Sequence, residues 1–210
     1  MKRILIADDH SVVRRGVKQI IKDEFTSVHM GEASTVQEVF TLLRAQKWDL
    51  LILDINLSGK NGLEVLKELK SRKSKIPVLV LSMHPEDQFA LRAVRAGAAG
   101  YLTKAGAPEE LVKAIGKILA GGRYVTATLA EKLATEISGD PDKPPHELLS
   151  DREYHVMCMI ASGKTVTEIG DELSLSVKTI STYRRRLLEK MDLHTNAELT
   201  HYVIRNGLVG

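Results

Sequence analysis

The stretch Ile4-Leu5-Ile6-Ala7-Asp8-Asp9 runs four apolar residues directly into two carboxylates. Leu50-Leu51-Ile52-Leu53-Asp54 repeats the arrangement, and Gly100-Tyr101-Leu102-Thr103 runs into Lys104. Short, continuous apolar runs bounded by polar residues read as strands of a parallel sheet covered on both faces. Such a sheet presents the carboxyl ends of its strands together, and ligands bind there. Three carboxylates and one ammonium at those ends make a compact site for Mg²⁺ and a phosphoryl group. Magnesium is usually held by one or two carboxylates plus water and phosphate oxygens. Asp9 and Asp54 suit direct ligation, with Asp8 acting through water. Asp54 also offers an oxygen for in-line attack on a phosphoryl donor, chemistry that rests on positioning and charge neutralisation. Lys104 suits the phosphoryl oxygens. Ser82, which ends Val78-Leu79-Val80-Leu81, suits a hydroxyl contact to one of them. Asp and Ser are also common helix caps. That reading serves any one of these residues as well, but it explains all five strand ends poorly.

Outward from these runs, residues 1–122 alternate strands with amphipathic helices. Strands are expected at 3–7, 27–32, 49–54, 76–81 and 99–102. Helices are expected at 11–24, 35–46, 62–72, 86–96 and 108–120. This alternation predicts an α/β fold, a doubly wound parallel sheet with helices on both faces. Gly121-Gly122 then breaks the pattern. One more helix fits 127–137, followed by Gly139-Asp140-Pro141-Asp142-Lys143-Pro144-Pro145, a linker by composition.

From Leu149 onward the signals are helical. Ser150 with Glu153, Thr165 with Glu168, and Thr195 with Glu198 form capping boxes, and Ser176 is a further N-cap. Gly207 stands where a last C-cap is expected. Four short helices make a small all-α domain. Within it, Lys178, Arg184, Arg185, Arg186 and Lys190 crowd together with only Glu189 against them. Residues 165–191 read as helix, short turn, helix. Ile180, Leu187 and Met191 form the inward stripe of the second helix. Lys178, Ser181, Thr182 and Arg185 remain on the other side, where a helix-turn-helix reads base edges in the major groove. Arg184, Arg186 and Lys190 lie at the flanks, suited to phosphates. Charge alone would equally fit a solvated helix. In the last helix, Leu199, Tyr202 and Val203 pack either within the domain or against a second copy.

The chain has 210 residues, 43% apolar and 27% charged, with net charge +3 and one cysteine, Cys158. This is ordinary globular composition, long enough for two domains. A lone thiol in an apolar helix reads as buried and structural. No apolar run approaches the length of a membrane span. Met1-Lys2-Arg3 and its apolar run are cut off by Asp8-Asp9-His10, too early for a signal peptide. Cytoplasmic residence is expected.

Residues 1–122 resemble a bacterial response-regulator receiver domain. The resemblance rests on Ile-Ala-Asp8-Asp9-His, Leu-Ile-Leu-Asp54-Ile-Asn56, Val-Leu-Ser82-Met-His and Gly-Tyr101-Leu-Thr-Lys104. It implies a CheY-like (βα)5 fold with Asp54 as phosphoacceptor and Asp8 and Asp9 as the acidic pair. It further implies the Asn56 carbonyl as a Mg²⁺ ligand, Ser82 and Tyr101 as a switch pair, and Lys104 as the phosphate-binding lysine. Phosphate is then expected to draw Ser82 and Tyr101 inward. Without the motif, Tyr101 would read as an ordinary half-buried aromatic. Ser58 and Ala105 stand where many members have proline, Met83 is large for its position, and His84 reads as a solvated loop residue.

Residues 148–210 resemble the LuxR-type helix-turn-helix domain through Leu149-Ser150-Asp151-Arg152-Glu153, Gly163-Lys164-Thr165, Glu168-Ile169, Leu173, Leu175-Ser176-Val177-Lys178-Thr179-Ile180 and Leu187 through Leu193. Gly170 replaces a common alanine, at a cost of up to about 1 kcal/mol in helix stability. The two resemblances together identify the NarL/FixJ class. They imply a receiver at 1–122, a helix-bearing linker at 123–147 and a DNA-binding domain at 148–210. A sensor histidine kinase would phosphorylate Asp54, and double-stranded DNA and a phosphorylation-promoted homodimer follow. Asp54 and Lys104 would carry the chemistry, which is only the receiver's own phosphoryl uptake and loss. Two alternatives remain. A Mg²⁺-dependent phosphatase with an Asp nucleophile would need a general acid where Asn56 stands. A degenerate receiver that only binds a protein would not need the complete acidic set.

Overall fold

The computed structural model describes residues 1–57, 62–83, 86–137 and 144–209, without the side chains of 87, 88, 132 and 135–137. Ser58 and His84 lie outside these residues, as do residues 139–143 of the proline-rich linker stretch. The chain divides into two units, Met1–Leu133 and Ala134–Gly210.

In the first unit, five strands pair in parallel: β1 (Lys2–Ala7), β2 (Val28–Ala33), β3 (Leu50–Asp54), β4 (Val78–Ser82) and β5 (Gly100–Thr103). Their order is β2-β1-β3-β4-β5. Between them run α1 (Ser11–Glu24), α2 (Val36–Ala45), α3 (Gly62–Ser71), α4 (Glu86–Ala96) and α5 (Pro108–Leu119). The strand order reverses between β1 and β3, which opens a crevice at their carboxyl ends. Four strands, β2 to β5, start one or two residues later than expected. Ser27 takes a left-handed φ of 59° and turns before β2. Pro77 has no N–H to donate, so β4 begins after it, although its carbonyl still accepts from Leu51 at 3.0 Å.

Alternation within strands divides the core. Ile4, Ile6, Leu50, Ile52, Leu79 and Leu81 join one buried cluster with α1 residues Val17 and Ile21 and α5 residues Leu111, Ala114, Ile115 and Ile118. Leu5, Leu51, Leu53 and Val80, buried on the opposite register, face the other layer. Burial on both faces explains why these strands read as unbroken apolar runs.

Beyond α5 the chain folds back on the sheet edge. Arg123 donates to the Ala98 carbonyl at 2.7 Å, and the Tyr124 amide to that of Ala99 at 2.9 Å. Tyr124 thereby bridges Gly100 in parallel. A Cβ at Gly100 would lie 3.0 Å from both the Tyr124 Cβ and carbonyl oxygen, so glycine permits the approach. Thr126 hydrogen-bonds Glu86 and caps α6 (Ala127–Ile137) through the Leu129 amide. These contacts carry the first unit past the Gly121-Gly122 stop.

The second unit holds a short 3₁₀ turn, Pro145–Leu148, and four helices: α7 (Asp151–Ala161), α8 (Val166–Leu173), α9 (Val177–Met191) and α10 (Asn196–Arg205). All three expected capping boxes form, and Ser176 accepts from the Thr179 amide at 3.1 Å. Gly207, at φ 63°, closes α10 by donating to the Ile204 carbonyl. Cys158 is buried. Leu199 and Val203 are fully buried, and the Tyr202 hydroxyl meets His146 Nδ1 at 2.9 Å. All three therefore pack within their own unit, which resolves the choice left open by spacing.

Among the described residues, no helix is long and apolar enough to cross a membrane.

Candidate phosphoryl site and nucleic-acid interface

Three strand ends bring the predicted residues together. Asp8 follows β1, Asp54 ends β3 and Lys104 follows β5. The Lys104 ammonium lies 2.6 Å from Asp8 Oδ2 and 2.7 Å from Asp54 Oδ2. All three side chains are at least 95% buried, with Asp54 only 2% exposed. Burial raises the Asp54 carboxyl above the usual carboxylate range, against the pull of Lys104 and with help from the Asp8 charge. Burial works to lower Lys104, but Asp54 and Asp8 more than offset it and hold the ammonium charged. The Asn56 amide donates to Asp54 Oδ1 at 3.2 Å, which turns the loop after β3 back toward the site.

Three neighbours were missed by sequence reasoning. His10 places Nδ1 2.7 Å from Asp9 Oδ1 and 3.2 Å from Asp8 Oδ1, and its amide donates to Asp8 Oδ1 at 2.8 Å. Arg14, one turn into α1, donates to the Asp8 carbonyl at 2.6 Å and pairs with Glu32 at the end of β2. Gly62 packs so closely that a Cβ there would lie 2.4 Å from the Asp54 carbonyl oxygen. Position alone flags His10, the residue after Asp9. Nothing in the spacing flags Arg14 or Gly62, because their roles arise from chain crossings.

The oxygens of Asp8, Asp9 and Asp54 and a ring nitrogen of His10 lie within 4.8 Å of one another. That oxygen-rich set fits a hard divalent cation. Ser82 is fully buried at the end of β4, and Tyr101 is 1% exposed. The Tyr101 ring lies inside in this structure, the position to which the expected movement would bring it. Met83 is 69% exposed, and the Lys104–Ala105 peptide bond is trans.

In the second unit the sequence-predicted face is largely present on α9. Ile180, Leu187 and Met191 are buried, whereas Lys178, Ser181, Arg185 and Arg186 are exposed. Thr182 is half-buried and donates its hydroxyl to the Lys178 carbonyl at 2.9 Å. Arg185 Nη1 sits 3.9 Å from Glu189, with both side chains in solvent. Two of the flanking cations are engaged elsewhere. Lys190 Nζ is 2.6 Å from the buried Glu153 carboxylate of α7, and Arg184 Nε donates to Asn196 Oδ1 at 2.6 Å.

Known proteins place both units. Residues 4–116 match the response regulator receiver domain, and residues 147–203 match the bacterial regulatory proteins of the luxR family. The chain is 36% identical to response regulator UvrY of Escherichia coli over 209 residues, 99% of this chain and 96% of that one. It is 36% identical to response regulator GacA of Pseudomonas aeruginosa over 211 residues, covering 100% and 98%. Among solved structures, RcsB from Salmonella enterica serovar Typhimurium, bound to promoter rprA with phosphomimetic BeF3⁻, matches at TM-score 0.65 and 26% identity over 97% of this chain and 98% of that one. Matched across both units by sequence and by fold, this chain belongs to the NarL/FixJ class of two-component response regulators, which joins a receiver to a LuxR-type DNA-binding domain and regulates transcription.

Proposed function

We propose that Asp54 accepts a phosphoryl group from a sensor histidine kinase, and that this switches sequence-specific binding of double-stranded DNA by α9. The observation that carries the reading is Lys104, whose single ammonium bridges Asp8 and Asp54 in a buried site. A cation held there by two carboxylates marks where phosphoryl oxygens, also negative, would be received. Asp8, Asp9, Asp54 and the Asn56 carbonyl would hold Mg²⁺, which supplies charge neutralisation during transfer. Asp54 supplies the attacking oxygen. Asp8 and Asp54 keep Lys104 charged and in place. Ser82, at the end of the neighbouring strand, turns its hydroxyl to the new phosphoryl oxygens, and the buried position of Tyr101 is the arrangement this favours. Phosphorylation is then a population shift between two conformations. The receiver performs no other reaction.

On this reading the receiver occupies 1–122, the linker 123–147 and the DNA-binding domain 148–210. Lys178, Ser181, Thr182 and Arg185 meet base edges and Arg186 meets a phosphate. One recognition helix covers few base pairs, so two copies on symmetric half-sites are needed for specificity. With Leu199 and Val203 spent inside the domain, the exposed residues of α10 are Asn196, Ala197, Glu198, His201, Ile204 and Arg205, with Ile204 62% exposed. Ile204, with the polar residues around it, is the contact for a phosphorylated homodimer. A cytoplasmic setting suits both partners.

Acetyl phosphate with Mg²⁺ should label Asp54 alone, as read by mass spectrometry. Asp54→Asn should take no label at that residue, and Asp9→Ala should abolish labelling. Label on Asp8, Asp9 or a serine would sink the acceptor assignment, and full labelling of Asp9→Ala would sink the metal role.

A further inference from the structure

Two cations of the recognition helix have partners on neighbouring helices. Lys190 lies in the last turn of α9, yet its ammonium reaches Glu153 in the first turn of α7 at 2.6 Å. The Glu153 side chain is 4% exposed and that of Lys190 43%, so the ammonium reaches inward from the rim of the helix. The same oxygen, Oε2, also accepts from the Ser150 amide and the Ser150 hydroxyl, each at 2.8 Å. Burial opposes the charge on Glu153, but Lys190 and Ser150 more than compensate and hold its carboxyl below the usual range. Near the middle of α9, Arg184 donates through Nε to Asn196, the first residue of α10, at 2.6 Å. The helix is therefore tied to α7 near its end and to α10 near its middle. Both ties use side chains whose charge alone would assign them to a DNA backbone.

We infer that Lys190, seconded by Arg184, is a positioning residue that fixes the seating of α9, and that it makes no phosphate contact. Lys190 is the one cation that meets this buried carboxylate among the described residues, and removing it leaves the charge with only the Ser150 hydrogen bonds. A phosphate would have to replace that partner. The exposed Arg186 faces no such competition. Side chains that read base edges need their supporting shell held to a fraction of an ångström. A loosened α9 should therefore lose discrimination between sequences while keeping its general attraction to DNA.

The inference rests on the proposed reading of α9. The test uses the full chain and two probes, a duplex selected by the wild-type protein from a random pool and a duplex of scrambled sequence. Binding is measured over a range of salt for wild type, Lys190→Met, Glu153→Gln and Arg186→Met. A wild type that prefers no duplex would defeat the DNA reading itself. Given that preference, Lys190→Met should lower it on the order of tenfold while leaving scrambled-duplex binding within about twofold and the salt slope unchanged. Arg186→Met should weaken both duplexes alike and flatten the slope by about one unit. Glu153→Gln, which leaves Lys190 present and freed, should reproduce the lost preference. If Lys190→Met instead flattens the slope by about one unit and weakens both duplexes equally, or if Glu153→Gln tightens both without loss of preference, the inference is overturned. Should Lys190→Met not fold, Glu153→Gln decides alone.

Discussion

The two functional regions hold charge in opposite ways. In the receiver, Asp8, Asp54 and Lys104 are buried and mutually satisfied, at 2.6 and 2.7 Å. On α9 the Arg185 side chain is 70% exposed, and its nearest acid, Glu189, is 3.9 Å away. Buried charges interact strongly because little water screens them, and each depends on its partner. Exposed charges are screened, contribute little to folding and remain available to a ligand. The receiver site is thus built to feel one added phosphoryl charge, whereas the helix is built to meet many phosphates at once. Lys190 stands between the two: its own side chain is 43% exposed, but the Glu153 carboxylate it meets is 4% exposed.

The largest expected effect comes from breaking the buried pair. Lys104→Met should lower stability by about 3 kcal/mol, because two neighbouring carboxylates lose their shared cation. Urea unfolding checks this. A loss below about 0.5 kcal/mol would mean the site behaves like a surface cluster, and the contrast would fall.

Next comes the exposed side. Arg185→Ala should cost about 1–3 kcal/mol on a preferred duplex if the guanidinium reads a base. Folding stability should stay nearly unchanged. Equal weakening on every duplex would move Arg185 to the backbone class.

Gly170 gives a smaller effect. By propensity alone, Gly170→Ala should stabilise α8 by up to about 1 kcal/mol. A Cβ there would lie 2.8 Å from the Leu175 carbonyl oxygen, in a turn closed by the Leu175 amide on the Gly170 carbonyl at 2.8 Å. Forced shifts of packed backbone cost about 1–3 kcal/mol, so the net expectation is a loss. Thermal unfolding of the variant decides, and a raised midpoint would show that the turn yields.

The mildest test concerns acid. Glu153 is held charged below the ordinary glutamate range. Its contribution should therefore be full above the unfolded value of about 4.3 and should disappear as pH falls through the lower folded value. Amide protection in α7, taken relative to the intrinsic exchange rate at each pH, should fall more steeply in wild type than in Glu153→Gln as pH drops below about 5. Parallel profiles would remove Glu153 from the folding balance of the second unit.

Much of this was legible along the chain. Continuous apolar runs ending in Asp8, Asp54 and Lys104 determined both the parallel sheet and the convergence of those residues, since strand direction dictates where the ends lie. Hydroxyl-to-glutamate spacing determined three helix starts, because a capping box closes within four residues. The helical stripe of Ile180, Leu187 and Met191 determined which face of α9 turns outward. Only the tertiary structure decided the rest. Arg14 reaches the Asp8 carbonyl and Gly62 packs on that of Asp54 because separate chain segments cross there. Tyr101 is 1% exposed, although its residue type alone reads as half-buried. Lys190 meets Glu153 across 37 residues of sequence. Local patterns record the interactions that act within a turn or along a strand. The partner a long charged side chain chooses depends on which buried group needs it most, and that need exists only once the chain has folded.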